Sequence, residues 1–353
     1  MQGGDFLLYK YRKPITLFII FSLSILSVTV GGRFVLGVFE KGLNASMFLS
    51  YPQVIPYYLD NDTTTPNEDI TAETEKDISP PPQNTTTTKP SQIETGDIKT
   101  TVLSLSSANT IQSGVHISNK TGLSIDIEKL LSQGLPFEIT NTKEPQVLIV
   151  HTHATEGYTV GDYGYYIKSQ DTRTRDNSKN VVRAGDVLAD VLNKAGIKTI
   201  NDTTQHDYPS YTGAYSRSAE TIKKYLKQYP TIKVVIDLHR DAITQSNNVK
   251  VKPTTEVNGK KAAQIMLLCG AEAGDVTNFP NWKENLRFNL ALEKQLEADY
   301  PELCRPMLFK QCKYNFNLLN GSILIELGSE ANTLEEALYS AELLGNSLVK
   351  VLK

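Results

Sequence analysis

Residues 145–156 read PQVLIVHTHATE, a four-residue apolar run that ends in a cluster of polar side chains. The run Val147–Val150 shows no alternation of polar and apolar residues, which is typical of a strand buried on both faces. Such strands occur in parallel or mixed sheets that are covered by helices. This stretch therefore predicts an α/β domain.

The rest of the C-terminal part alternates apolar runs with segments of helical spacing. Short apolar runs bounded by turns predict buried strands, and apolar side chains every three or four residues predict amphipathic helices. This alternation predicts an α/β fold over residues 102–353, with a mixed or largely parallel sheet flanked by helices. The further predicted strands are 197–200, 232–238, 263–269 and 323–327, and the predicted helices are 180–195, 211–229, 281–300 and 333–352.

The average composition excludes several classes of protein. The 353 residues carry 36 basic and 39 acidic side chains, and a net charge of −3 is unlike the strongly basic surface of a nucleic-acid-binding protein. No two of the three cysteines form a C-x-x-C pair, so neither a thiolate zinc site nor a disulfide framework is expected. We expect Cys269, Cys304 and Cys312 to be buried thiols, with a 304–312 disulfide as the alternative.

Residues 1–32 have the pattern of a membrane signal. Three basic residues within 1–14 precede an uncharged stretch over 15–32, whose length is near the lower limit for crossing about 30 Å of hydrocarbon. The cleavage-site pattern at 28–30 is poor, so a transmembrane anchor is favoured over a cleaved signal peptide. The basic flank predicts a cytoplasmic N-terminus and an extracytoplasmic C-terminal domain, held in the cell membrane by a single span.

Two segments separate this predicted anchor from the predicted domain. Residues 33–60 form a juxtamembrane segment to which the sequence assigns no role. Residues 61–101 are predicted to be a disordered linker, because positions 61–100 hold eleven threonines, five prolines and eight acids but no aromatic residue. With three lysines, the linker carries a net charge of −5, and the remainder of the chain carries +2. The linker would act as a spacer between membrane and domain.

Polar side chains lie where three of the predicted strands end. The strand at 147–150 leads into the polar residues 151–156, the strand at 232–238 leads into His239, and the strand at 323–327 contains Glu326. In open α/β sheets the ligand site lies beyond the carboxyl ends of the strands. Since four of the five histidines fall between positions 151 and 239, we expect the active site at this edge of the sheet.

The residue types at these strand ends are those of a hydrolytic zinc site. His153 and Glu156 form an H-x-x-E pair, and His239 follows 86 residues later on another strand. Two histidines and one carboxylate leave a fourth position for water, as hydrolytic zinc requires. A separate carboxylate must carry the proton of the water to the leaving amine, and Glu326 is the candidate for that catalytic role.

Other polar residues nearby are candidates for supporting the metal ligands or contacting substrate. His151 faces the same side as His153 in an extended chain, so it is a neighbour of the ligand or a substitute for it. Asp237 would face the same way as His239 and hold it from behind. The full set of such candidates is His151, Asp237, Arg240 and Asp241.

Three further features are given mainly structural interpretations. His206 lies in the polar stretch 201–209, which reads as a solvated loop. His116 lies near the linker and is assigned no role. A cluster of tyrosines either lines a groove or packs elsewhere, and its members are Tyr158, Tyr163, Tyr165 and Tyr166.

Several of these motifs together resemble those of the stage II sporulation protein P family. They read HTHATE at 151–156, YTGAYSRS at 211–218, IDLHRDA at 236–242 and IELGSEANT at 325–333. The resemblance covers most of residues 120–353, and the arrangement of anchor and linker agrees with it. The linker itself carries no motif of the family.

The resemblance implies a membrane-anchored zinc peptidoglycan hydrolase of endospore formers, similar in fold to the zinc N-acetylmuramoyl-L-alanine amidases. Such proteins cleave the amide between the glycan and the stem peptide during engulfment, and an endopeptidase activity on cross-links is also attributed to them. The implied partners are the lytic transglycosylase stage II sporulation protein D and the membrane protein stage II sporulation protein M. By motif, zinc falls on His153, Glu156 and His239, and Glu326 is the catalytic carboxylate.

Two alternatives remain open from the residues alone. A zinc carboxypeptidase also uses H-x-x-E with a distant histidine, and it would need an arginine such as Arg240 to hold a terminal carboxylate. A non-catalytic septal scaffold would use the metal only to hold loops together. The products released from peptidoglycan would distinguish these functions.

Overall fold

The computed structural model of the chain describes residues 93–140 and 142–353. The predicted transmembrane anchor, the juxtamembrane segment and most of the predicted linker lie outside the described residues. Within the described ranges, no helix has the length and apolar character needed to cross a membrane.

The described residues form strands and helices in alternation. The strands are β1 (Thr95–Thr101), β2 (Thr110–Gln112), β3 (Val115–Asn119), β4 (Val147–Val150), β5 (Tyr165–Ile167), β6 (Thr199–Asn201), β7 (Val234–Asp241), β8 (Thr244–Gln245), β9 (Val249–Val257), β10 (Lys260–Ala263), β11 (Ile265–Gly270), β12 (Met307–Lys310) and β13 (Ser322–Ser329). The helices are α1 (Ile127–Ser132), α2 (Val181–Lys194), α3 (Ala214–Gln228), α4 (Trp282–Asp299) and α5 (Leu334–Leu352). Each predicted strand and helix has a counterpart among them.

The main sheet has the order β2-β3-β12-β11-β13-β7-β4-β6 in the described part of the chain. The strands β6, β4, β7 and β13 are mutually parallel, as are β11, β12 and β3, whereas β11 runs antiparallel to β13 and β2 runs antiparallel to β3. The sheet is therefore mixed, and the predicted α/β fold is confirmed.

Helices cover the main sheet on both faces, which explains the unbroken apolar sequence of β4. Val147 and Ile149 pack in one core cluster with side chains of α2, α4 and α5. Leu148 and Val150 pack in a second cluster with Ile222 of α3. All four side chains of the strand are fully buried. The strand is thus apolar at every position because neither of its faces meets water.

The helix boundaries follow from capping side chains. Asn180 precedes α2, and its side chain accepts a hydrogen bond from the backbone N–H of Val182. Thr333 precedes α5 and forms a capping box with Glu336. The predicted helices 180–195 and 333–352 therefore include cap residues at their first positions.

A second sheet has the order β10-β9-β1-β5, with β8 also paired to β9. Its strand β1 pairs in parallel with β9 and antiparallel with β5. The seven residues of β1 lie inside the segment 61–101 predicted to be a disordered linker, so ordered structure begins before the predicted boundary at 102. The composition did not reveal this strand because it is held mainly by backbone pairing, and its side chains are exposed or half-buried.

Each of the three cysteines is a buried free thiol. This confirms the expectation for Cys269, Cys304 and Cys312 and excludes the alternative 304–312 disulfide in this structure. Burial raises the pKa of the Cys312 thiol to about 12, so it stays protonated at neutral pH.

Candidate active site

The loop after β4 is fixed by hydrogen bonds to β7. Thr152 donates to Asp237 twice, from its backbone N–H to Oδ1 at 2.8 Å and from its hydroxyl to Oδ2 at 2.6 Å. Beyond it the chain turns, so that the N–H of Glu156 donates to the carbonyl of His153 at 3.1 Å. This turn brings His153 and Glu156 to the same side of the loop.

His239 and Glu326 are neighbours on adjacent parallel strands. They are paired in the register of β7 and β13, and paired residues of adjacent strands face the same side of the sheet. Glu326 therefore lies next to His239, as expected from the two strand ends. The register shifts after Glu326 in a β-bulge that contains Gly328, whose φ is +66°. Bulges of this kind redirect side chains beside active sites.

The side chains of His153, Glu156 and His239 converge. Glu156 Oε1 lies 3.3 Å from His153 Nδ1, and Glu156 Oε2 lies 3.3 Å from His239 Nδ1. All three side chains are buried, and one ligand atom from each lies within 4.8 Å of the other two. In the described residues this is the one group of histidine, cysteine and acidic side chains arranged to hold a metal ion.

The spacing of these atoms fits a small divalent ion. Ligand atoms about 2.1 Å from a tetrahedral zinc ion lie roughly 3.4 Å from one another. The two nitrogen–oxygen distances of 3.3 Å, each to a different oxygen of Glu156, are close to that separation. Two imidazoles and a carboxylate are also a donor set that zinc accepts. The predicted ligands are therefore brought close enough together to hold a metal ion.

Charges around the cluster favour an ionised carboxylate. Burial acts to raise the pKa of Glu156, but His239 and His153 outweigh it, so the pKa lies well below its ordinary value. Burial lowers the pKa of His153, which favours the neutral, metal-binding form of the imidazole. Burial also acts to lower the pKa of His239, yet Asp237 and Glu156 raise it well above the ordinary value. These carboxylates attract positive charge to the cluster.

Asp237 lies behind His239, as the sequence predicted. Its Oδ1 is 2.9 Å from His239 Nε2, which leaves Nδ1 on the side of Glu156. The contact has an ion-pair distance, although the ring N–H is not aligned for a hydrogen bond to any group in the described residues. Because Asp237 also holds Thr152, one carboxylate positions both the loop after β4 and the histidine of β7.

Glu326 differs from Glu156 in its surroundings. In the described part of the chain, its buried Oε2 has no hydrogen-bond partner. Burial, together with the nearby charges of Asp241 and Glu156, raises the pKa of Glu326 to about 8, although His239 and Arg305 oppose this shift. A carboxyl group with a raised pKa beside this group of histidines and Glu156 is suited to accept and return a proton.

Asp241 lies on the Glu326 side of the site and is paired with an arginine. Arg305 Nη1 donates to Asp241 Oδ2 at 2.8 Å. Arg305 is buried, and its Nε and Nη2 have no hydrogen-bond partner among the described residues. The sequence did not indicate Arg305, because it lies in a loop before β12 and matches none of the motifs.

His151 is not part of the metal-binding group. Its Nδ1 lies 3.0 Å from the carbonyl of Leu238, and its Nε2 lies 2.9 Å from Asn201 Oδ1. The ring is fully buried between the loop and β7. Since one ring nitrogen faces the backbone of Leu238 and the other faces the side chain of Asn201, His151 links β7 to β6.

His206 does not lie in a solvated loop, so that prediction was wrong. Its side chain is buried, with Nδ1 2.9 Å from the carbonyl of His151 and Nε2 2.9 Å from Thr221 Oγ1. The polar neighbours of His206 in the sequence gave the appearance of a surface loop. In the structure the ring fills the space beneath the loop after β4.

Arg240 supports the metal-binding group with its backbone and holds the loop with its side chain. Its N–H donates to Glu156 Oε2 at 3.0 Å. Its guanidinium donates to the carbonyl of Gly157 at 3.0 Å and to Thr172 Oγ1 at 3.1 Å. The side chain is buried in these contacts, which does not favour its use as a clamp for a terminal carboxylate.

A second arginine and an aspartate, both missed by the sequence reasoning, hold the other side of Glu156. Arg173 Nη1 donates to Asp207 Oδ2 at 3.1 Å, and Nη2 donates to Glu156 Oε1 at 3.4 Å. Asp207 also accepts hydrogen bonds from the N–H and the hydroxyl of Thr155. Asp207 directly follows His206, but the surrounding polar residues gave no signal that separated it from a surface acid.

Aromatic rings border His153. Tyr211 stacks on its imidazole with 4.4 Å between ring centroids, and Tyr215 meets it edge-on at 5.6 Å. Tyr215 in turn stacks on Tyr314 at 4.9 Å. The tyrosine cluster considered in the sequence lies elsewhere: Tyr158 is buried, with its hydroxyl donating to the carbonyl of Leu327, and Tyr163 is exposed.

Comparison with solved structures finds amidases of low similarity. The N-acetylmuramoyl-L-alanine amidase AmiC2 of Nostoc punctiforme is 9% identical, with 59% of this chain and 94% of that chain covered and a TM-score of 0.33. The CwlD amidase from Clostridioides difficile, solved in complex with the GerS lipoprotein, is 12% identical, with 59% and 98% covered and a TM-score of 0.36. The apo amidase Ami1 from Mycobacterium abscessus is 13% identical, with 59% and 99% covered and a TM-score of 0.35.

At these identities and TM-scores the likeness decides nothing about function. No curated protein sequence matches the chain at a significant level. The sequence profile of the family described as stage II sporulation protein P (SpoIIP) matches residues 48–348. That match covers most of the chain and includes every residue of the metal-binding group as well as Glu326. The chain belongs to the stage II sporulation protein P family.

Proposed function

We propose that the protein is a zinc-dependent N-acetylmuramoyl-L-alanine amidase that removes stem peptides from peptidoglycan during engulfment in sporulation. The observation that carries the proposal is the convergence of His153, Glu156 and His239 beside Glu326. Membership of the stage II sporulation protein P family supports the substrate and the biological setting.

In this proposal His153 and His239 hold zinc through Nδ1, and Glu156 holds it through its carboxylate. When bound there, zinc would polarise the carbonyl of the scissile amide and make water more acidic. Asp237 and Arg240 keep the ligands in place, since the first contacts His239 and the second donates its N–H to Glu156. The protein thus supplies a fixed ligand set that does not need to reorganise during the reaction.

Glu326 is the proposed proton carrier. It accepts the proton of the attacking water and donates it to the amine of L-alanine as the carbon–nitrogen bond breaks. Its raised pKa suits the second half of this task, because a strong acid would not hold the proton for the leaving group. A divalent cation nearby would lower the pKa of Glu326, so that its carboxylate could accept the proton of the water.

The same site could act on peptide cross-links, and we propose endopeptidase activity as a second reaction of it. The predicted anchor at 15–32 would hold the domain outside the cytoplasmic membrane at the sporulation septum and engulfing membrane. Stage II sporulation proteins D and M are the proposed partners, the first because its transglycosylase activity would act on glycan strands whose stem peptides have been removed.

A carboxypeptidase is less well supported, because the guanidinium of Arg240 is occupied by Gly157 and Thr172. A non-catalytic scaffold would not need the Oε2 of Glu326 to be buried without a hydrogen-bond partner among the described residues, because such an atom destabilises the fold.

Product analysis tests the proposed function. The full-length protein, purified in mild detergent with zinc, is incubated with purified peptidoglycan, and the released fragments are identified by mass spectrometry. Intact stem peptides with a free L-alanine amine support the amidase. Single D-alanines would indicate a carboxypeptidase, and fragments cut within cross-links would indicate endopeptidase activity alone. Unchanged peptidoglycan, with and without the proposed partners, would indicate that the protein is a non-catalytic scaffold.

A further inference from the structure

Three arginines near the site have their charge balanced or their donors bound by protein groups. Arg173 contacts Glu156 and Asp207. Arg305 pairs with Asp241, and Arg240 donates to a backbone carbonyl and a hydroxyl. Each of these guanidinium groups therefore has a protein partner, although two nitrogens of Arg305 have no hydrogen-bond partner among the described residues.

Lys310 is different. It is the last residue of β12 and is half-buried, with its Nζ donating to the hydroxyl of Tyr314 at 2.9 Å and lying 5.0 Å from the centre of that ring. Within residues 93–140 and 142–353, no carboxylate lies within the 4.0 Å ion-pair distance of its Nζ. Burial acts to lower the pKa of Lys310, but Tyr314 outweighs it and the pKa is raised, so the side chain stays charged. Its remaining N–H donors can bind an anion.

The position of Lys310 relates it to the metal-binding group. The Tyr314 ring, over which Lys310 lies, stacks on Tyr215, and Tyr215 contacts the imidazole of His153. Two aromatic rings thus separate the ammonium group from a proposed metal ligand. Ionised Glu326 would also raise the pKa of Lys310, although less than Tyr314 does. These ring contacts place Lys310 on the side of the site that Tyr215 and Tyr314 form.

The backbone that carries Tyr314 is held in an unfavourable conformation. Tyr314 has a φ of 37°, in the left-handed region that bulky residues avoid, and Asn315 follows at 64°, a conformation that asparagine tolerates. Asn315 Nδ2 fixes the segment to α3 by donating to the carbonyl of Tyr215 at 2.9 Å and to Ser218 Oγ at 3.1 Å. Strain of this kind is retained where the surrounding structure requires one position of a side chain, often at ligand sites.

We propose that Lys310 binds a carboxylate of the stem peptide and thereby selects acidic peptides as substrates. This inference rests on the proposed amidase function. The lactyl carboxyl of the glycan is consumed in the scissile amide, so the free carboxylates near that bond belong to the peptide. The nearest is the α-carboxylate of a D-glutamate that follows L-alanine. A lysine ammonium recognises such a group by a charge-assisted hydrogen bond.

The test compares two synthetic N-acetylmuramoyl peptides that differ only at the second residue, with a free α-carboxylate in one and a carboxamide in the other. The wild-type full-length protein should cleave the carboxylate substrate with the higher kcat/KM. Lys310→Met should lower kcat/KM on that substrate by about 10- to 100-fold, as expected for a lost hydrogen bond to a charged group, and change it less than about twofold on the carboxamide. Lys310→Arg should recover most of the preference.

Lys313 provides a matched control. It lies on the same segment, and its Nζ donates to the carbonyl of Thr277 at 3.3 Å. Lys313→Met removes the same charge and should leave both kcat/KM values unchanged. If Lys310→Met slows both substrates equally, Lys310 is not a carboxylate-binding residue, although the amidase function stands.

Calorimetric binding of the two isolated stem peptides separates failure of this inference from failure of the proposed function. If the wild-type protein cleaves neither substrate, the proposed function is wrong. Tighter binding of the carboxylate peptide that is lost in Lys310→Met would still support the role of Lys310. Equal binding of both peptides by the wild-type protein would overturn it.

Discussion

The two sides of the site are built in opposite ways. On the metal side, Glu156 receives donors from Arg240 and Arg173, and Asp237 contacts both His239 and Thr152. On the carboxylate side, Glu326 Oε2 and two nitrogens of Arg305 are buried without hydrogen-bond partners in the described residues. The metal side is thus stabilised by its contacts, with His239 Nε2 held by an ion-pair contact with Asp237, whereas the carboxylate side carries an electrostatic cost.

This difference matches the two tasks that we propose for the site. Metal ligands must be fixed before the ion arrives, since loose ligands lose affinity. A proton carrier must exchange its proton, and a carboxyl group that is fully hydrogen-bonded as an anion would have too low a pKa to do so. The comparison predicts that substitutions on the two sides have separable effects on metal content, on stability and on turnover.

The largest loss of turnover is expected from one substitution on the metal side and one on the carboxylate side. His153→Ala should lose both bound zinc and turnover, because it removes a ligand. Glu326→Gln should keep one zinc ion per chain and lose about 10²- to 10⁴-fold in kcat, because only proton transfer is removed. Metal analysis and turnover on the same preparations measure both. A metal-free Glu326→Gln protein, or one with full activity, would show that the two sides are not separate.

The next largest effect is expected in the stability of the metal-free protein as the pH changes. The pKa of Glu326 is raised to about 8 from an ordinary value of 4.5, so the folded protein holds this proton more tightly than the unfolded chain does. The stability that the folded protein gains by keeping Glu326 protonated is fully present below about pH 4.5 and is lost as the pH rises to about 8. Between pH 5 and 8, wild-type protein should lose on the order of 3 kcal/mol relative to Glu326→Gln.

Urea unfolding of chelator-treated protein across this pH range measures the difference. The exposed Glu128 of α1 provides a control, since Glu128→Gln should follow the wild-type pH dependence. Parallel curves for wild type and Glu326→Gln would mean that the carboxylate side carries no such electrostatic cost.

A smaller effect is expected from the support of the metal side. Asp237→Asn weakens the contact behind His239 and should lower zinc affinity by about 10- to 100-fold, with kcat at saturating zinc much less affected. Competition with a zinc-binding dye gives the affinity. Asp190→Asn on the exposed surface of α2 is the matched control and should bind zinc as the wild type does. An unchanged zinc affinity in Asp237→Asn would show that Asp237 does not support the metal ligands.

The smallest effect is expected in the second sheet, where neither side of the site is touched. The N–H of Ile98 in β1 donates to the carbonyl of Gly164 at 2.9 Å. Ile98→Pro removes this donor and should destabilise the fold by about 1–2 kcal/mol without changing zinc content. Ile93→Pro, at an exposed position before β1, should change neither. Loss of zinc in Ile98→Pro would mean that the second sheet supports the metal side.

The sequence predicted those parts of the molecule that local pattern determines. The apolar run at Val147–Val150 required burial on both faces, and the polar residues at strand ends indicated one edge of the sheet. The strand β1 was missed because backbone pairing with distant segments leaves no periodic apolar pattern. Arg173 and Arg305 were missed for a related reason, since an isolated arginine shows its carboxylate partner only once the chain is folded.

The central claim is that two histidines and Glu156 bind zinc while Glu326 does not. Zinc-edge X-ray absorption of the active full-length protein tests it most directly. We expect two imidazole nitrogens and carboxylate or water oxygens at about 2.0–2.2 Å, no sulfur, and the same spectrum for Glu326→Gln. Sulfur in the coordination sphere, or a spectrum that changes in Glu326→Gln, would contradict the account.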